Sequence, residues 1–136
     1  RTSSFVGLIG LGCSLALGLP APALADSPPD DFRSEFVGAL VSCTSAYDGL
    51  ANNSERGSSD DEMRRAAASQ YRWSRRMLEE WSRLPSSEVA SLLFSASIDL
   101  RSNGIDSRDK LLDLASYCDQ KLNDYVDTVN SRGYTP

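Results

Sequence analysis

Apolar residues recur at alternating spacings of three and four along four successive segments, and nowhere does the every-second-residue alternation of a strand persist. A chain patterned this way folds by burying helical stripes against one another. The first stripe is Phe32, Phe36, Leu40, Cys43, Tyr47 and Leu50, and it predicts a helix over 29–51. Ser27 is placed to cap it, a proline suits its first turn, and Asp30 and Asp31 suit the positive end of its dipole. Residues 52–57 read as a loop.

Ser59-Asp60-Asp61-Glu62 resembles a capping box and opens a second helix expected over 60–84. Its inward face is predicted to be Met63, Ala66, Gln70, Trp73, Met77, Trp81 and Leu84, with Tyr71 and Leu78 beside it, and Pro85 stops it. A third helix over 87–102, capped by Ser86 or Ser87, carries Val89, Leu92, Leu93, Ala96 and Leu100, widened by Phe94 and Ile98. Asn103-Gly104 ends it. The fourth, over 107–130, carries Leu111, Leu114, Cys118, Leu122, Tyr125 and Val129. The expected fold is all-α, an up-down four-helix bundle.

The cysteines test that topology. Cys43 and Cys118 lie on the seams of the first and last helices. In an up-down bundle those helices are antiparallel neighbours, and a rise of 1.5 Å per residue puts both cysteines about 18–20 Å from the same end. A Cys43–Cys118 disulfide follows, closing a loop of roughly 75 residues and stabilising the fold by about 4 kcal/mol through restriction of the unfolded chain.

A disulfide needs an oxidising compartment, and the start of the chain points to one. Phe5 to Leu19 is uncharged and apolar, the length of a signal core and shorter than a bilayer span. Pro20 and Pro22 end it, and Ala23-Leu24-Ala25 offers small residues at the positions a signal peptidase reads. Residues 1–25 are therefore read as a cleavable secretory signal and 26–136 as one mature helical domain, periplasmic or extracellular, with no stable membrane anchor left after cleavage. Cys13 leaves with the leader. The residues before it do not resemble a lipoprotein box.

Loss of Arg1 takes the formal net charge from −5 to −6, which argues against nucleic acid as a partner. The chain contains no histidine. That removes Ser-His-Asp and Cys-His nucleophilic systems, most zinc sites and His-ligated haem. No other catalytic constellation is recognisable. The expectation is a protein that is not an enzyme and needs no cofactor or metal.

Two charge patterns remain. Arg65, Arg72, Arg76 and Arg83 share one face of the second helix, near Tyr71, and could hold a protein partner or simply form a solvated face paired with Glu79 and Glu80. Asp106, Asp109, Asp113, Asp119, Asp124 and Asp127 cluster on the fourth helix and its approach, without the spacing of a calcium loop, and read as a solvated acidic face. Asn52-Asn53-Ser54 has the form of a glycosylation acceptor. The leading functional expectation is an exported protein acting through protein contacts: an adaptor, inhibitor or immunity-type factor. The alternative is a carrier of an apolar or lipid-like ligand among Trp73, Met77, Trp81, Phe94 and Tyr125.

Overall fold

The structure, a computed structural model, describes residues 26–53 and 60–136. The leader expected over 1–25, with Cys13, and the proposed cap Ser59 lie outside the described residues. Four α-helices follow one another: α1 (Asp30–Asn53), α2 (Asp61–Ser82), α3 (Ser86–Ser102) and α4 (Arg108–Arg132). Each begins or ends within a few residues of the positions expected from the sequence. No described helix is long and apolar enough to cross a membrane.

Among the described residues two compact units separate, Pro28–Asp127 with Pro136, and Asp26–Ser27 with Thr128–Thr135. In the first, α1 is the central element. Its stripe is buried as the spacing requires: Phe36, Leu40, Cys43, Tyr47 and Leu50 are all at most 3 % exposed. Pro29, rather than Ser27, supplies the first helical carbonyl, which accepts from the Arg33 N–H at 3.1 Å. Asp30 and Asp31 occupy the first turn, where the dipole favours them.

The partners of α1 show how the helices run. Cys43 and Cys118 form the expected disulfide, with Cα atoms 5.5 Å apart. Phe36 stacks on Tyr125 at 5.1 Å between ring centres, so early α1 meets late α4 and the two run antiparallel. Phe36 also meets Trp81 edge-on at 5.1 Å, and Thr44 donates to Ser74 at 2.8 Å, so α2 is antiparallel to α1 as well. On a different side of α1, the Ser45 hydroxyl donates to the Leu93 carbonyl at 3.1 Å, which ties in α3.

The buried face of α2 is turned from the expected one. Ala67, Ser74, Leu78 and Trp81 are buried, Trp73 and Met77 are half-buried, and Ala66 is exposed. Small residues at the centre of this face let α2 lie close to α1, and the Thr44–Ser74 bond satisfies the two hydroxyls trapped there. The larger side chains then fill the flanks. Trp81 is anchored further: the Arg33 guanidinium donates to its carbonyl at 3.0 Å and sits 5.5 Å over its ring. A cation at the carbonyl end of a helix is favourable.

Helix ends show local sequence logic. Arg83 closes α2 in the left-handed region at φ 58°, unusual for a residue with a side chain. Pro85, not Ser86 or Ser87, supplies the carbonyl that opens α3. Gly104, at φ 78°, ends α3: its N–H bonds the Arg101 carbonyl at 3.0 Å and the Ile105 N–H bonds the Leu100 carbonyl at 2.8 Å. This pair is the Schellman pattern that glycine permits. Asp60, inside the Ser59–Glu62 capping pattern, directs its carboxylate to Arg108, accepting two bonds of 2.9 Å each.

Only part of the α3 stripe is covered. Val89 and Leu93 are buried, whereas Leu92, Phe94 and Ile98 are exposed, Phe94 by 66 %. In the smaller unit, the last turn of α4 closes at Gly133 with the Tyr134 N–H on the Val129 carbonyl at 3.0 Å. Asp26 pairs there with Tyr134 as an isolated bridge.

Candidate functional site

The arginines singled out on α2 all stand on its exposed side, away from the buried face centred on Ser74 and Leu78. Their surroundings differ. Arg65 pairs with Asp61 at 3.0 Å, and Arg83 donates to the Pro136 carbonyl at 3.0 Å. Glu79 pairs with Arg75 at 3.4 Å, outside the strip. Arg72 and Arg76 have no ion pair or hydrogen bond among the described residues. Local carboxylates therefore do not neutralise the centre of the strip.

Tyr71 does not share the exposed face with Arg72 and Arg76. It is half-buried, and its phenol oxygen accepts from Arg75 at 2.8 Å. That bond, ahead of the Glu79 contacts, holds the Arg75 guanidinium above its ordinary pKa. Tyr71 and Arg75 form one wall of a cleft of about 230 Å³ between α2 and α3, with Phe94 on the other wall and Ser45 and Asp48 at its base. Tyr71 and Arg75, next in sequence to Arg72 and Arg76, thus face a cleft with an exposed phenylalanine.

Trp73, Trp81, Phe94 and Tyr125, considered for an apolar ligand, fall in different surroundings. Trp81 and Tyr125 both pack on Phe36 in the core, and Phe94 lines the α2–α3 cleft. Trp73 lines a separate cleft of about 260 Å³ between α2 and α4.

That second cleft contains a group that periodicity alone does not reveal. The Tyr47 hydroxyl, at a residue only 1 % exposed, donates to Asp119 Oδ1 at 2.6 Å, and Gln70 Nε2 donates to the same oxygen at 3.1 Å. Burial first, then the bond to Asp119, raises the Tyr47 phenol far above its ordinary value. Three helices thus converge on one carboxylate. Tyr47 itself was the available signal, because a buried phenol requires a polar partner and the disulfide register brings α4 residues near 118 opposite it.

The remaining acidic residues of α4 and its approach, Asp106, Asp109, Asp113, Asp124 and Asp127, are exposed. Among the described residues, no group of three or more Cys, Asp or Glu is placed to hold a metal ion. The chain matches no family model, no curated protein and no solved structure.

Proposed function

We propose that the protein is exported and acts by holding a protein partner, with Arg72 and Arg76 at the centre of the contact. The observation that carries this reading is that these two exposed guanidinium groups lack an ion pair among the described residues, although the chain as a whole is acidic. A planar guanidinium is suited to bidentate recognition of carboxylates, so the partner presents acidic side chains. The α2–α3 cleft, lined by Tyr71 and Phe94, offers apolar area on another side of α2.

Export rests on the leader-like residues 1–25 and on the Cys43–Cys118 disulfide, which a reducing cytosol would not maintain. The mature molecule in this reading is an up-down bundle, rigid enough to present α2 as a fixed ridge, with no chemistry of its own.

The test is affinity capture by disulfide-intact mature protein from an extract of its own extracytoplasmic compartment, alongside the Arg72→Glu/Arg76→Glu variant. One partner retained by the native protein, lost on charge reversal and weakened by added salt, supports the reading. A partner retained equally by both proteins overturns the assignment of the surface.

A further inference from the structure

The α2–α4 cleft points to a second site, distinct from the arginine face. Its lining is Tyr47, Gln70, Trp73, Asp119, Leu122 and Asn123. Asp119 is its single formal charge, and no Lys or Arg lines it. A smaller cleft of about 110 Å³ shares Tyr47, Gln70 and Asp119 and continues between Met63 and Leu112.

The Asp119 carboxylate is oriented as well as exposed. Both protein donors, Tyr47 and Gln70, bond to Oδ1. Oδ2 has no partner among the described residues and remains available to a ligand. Residues one turn away on α4, namely Ala115, Ser116, Leu122 and Asn123, carry no charge. The α2 side supplies the half-buried indole of Trp73 and the Gln70 amide. A fixed carboxylate beside an indole, without a competing cation, is the chemistry that selects a positively charged organic group: the carboxylate supplies the counter-charge and the aromatic ring attracts the cation's weakly hydrated surface.

We infer that the α2–α4 cleft binds a small free organic cation, a quaternary ammonium or protonated amine, with Asp119 as its counter-ion and Trp73 as its aromatic wall. The absence of basic residues in the lining makes the site unfavourable for a cation that carries a phosphate beside it, as in a lipid headgroup.

The experiment is an amide and indole NMR titration of the disulfide-intact protein with tetramethylammonium chloride. Sodium chloride controls for ionic strength, and neopentyl alcohol serves as the neutral near-isostere. The expected result is saturable shifts centred on the Trp73 indole N–H, Gln70, Asp119 and Asn123. Binding should weaken at least fivefold in Asp119→Asn, which keeps an oxygen acceptor for Tyr47, and in Trp73→Leu. Spectral dispersion shows that each variant is folded. Phosphocholine should bind more weakly than tetramethylammonium. Absence of saturable shifts, equal binding of the neutral alcohol, equal or tighter binding of phosphocholine, or full binding by Asp119→Asn would each overturn the inference. The Arg72→Glu/Arg76→Glu variant should bind the cation as the native protein does, so this site and the arginine surface stand or fall separately.

Discussion

Tyr47 on α1 and Asp119 on α4 meet at 2.6 Å, one residue along the chain from the disulfide at Cys118. The covalent link and the polar link therefore join the same two helices at the same level, and Gln70 brings α2 to that level as well.

Tyr47→Phe should cost about 1.5–3 kcal/mol in denaturant unfolding, the range for a hydrogen bond to a charged group. Asp119→Asn should cost less, because its amide oxygen can still accept. Equal stability of Tyr47→Phe and the native protein would show that the bond contributes nothing net.

The same phenol makes stability depend on alkaline pH. Its folded-state pKa lies above the ordinary value because of burial and the facing carboxylate. Below about pH 10 both states hold the proton and the contribution is intact; above it the unfolded chain releases the proton while the native state retains it. Stability should then fall with rising pH, by up to about 1.4 kcal/mol per pH unit from this one group. The slope should be shallower in Tyr47→Phe when both are measured by urea unfolding across that range.

Thr44 and Ser74 form a fully buried hydroxyl pair at 2.8 Å. Thr44→Val should destabilise by about 1 kcal/mol. Ser74 keeps its weaker bond to the Tyr71 carbonyl, so a double change to Val and Ala should cost less than the two single changes added. A double-mutant cycle measures the difference.

Arg83 holds a left-handed conformation at φ 58°. Arg83→Gly should relieve that strain and raise stability by about 0.5–1 kcal/mol, after allowing for the greater freedom of glycine in the unfolded chain. A lower midpoint in thermal unfolding would mean that the exposed bond to Pro136 outweighs the strain.

The legible and illegible parts of this fold have identifiable causes. In α1 the stripe is dominated by large apolar and aromatic residues, and Phe36 through Leu50 are buried along it, so periodicity found the correct face and placed Cys43 opposite Cys118. In α2 the centre of the interface is Ala67 and Ser74, which a hydropathy pattern does not distinguish from surface residues. Trp73 and Met77 drew the expected face toward a flank. In α3, spacing picked the stripe that holds the buried Val89 and Leu93, but Phe94 and Ile98, read as widening it, are exposed. Asp60 shows the limit of local motifs: it stands inside the Ser59–Glu62 capping pattern, yet its carboxylate is engaged by Arg108, 48 positions away in the chain. Among the site residues, the exposed arginine strip was legible because seven- and four-residue spacings need only the helix. The lack of partners for Arg72 and Arg76, and the Tyr47–Gln70–Asp119 junction, depend on tertiary contacts.

Removing the disulfide with Cys43→Ala/Cys118→Ala should lower unfolding stability by about 2–4 kcal/mol, with little change in helical circular dichroism at low temperature. Loss of helix under all conditions would mean that the remaining core cannot hold the four helices together.

The most direct check of the exported, disulfide-braced molecule is the intact mass of protein recovered from the extracytoplasmic fraction of a bacterial host making the full chain. The predicted species begins at Asp26 and is two protons lighter than the dithiol. A species that keeps residues 1–25 would contradict export with cleavage, and a mature species with two free thiols would contradict the brace between α1 and α4.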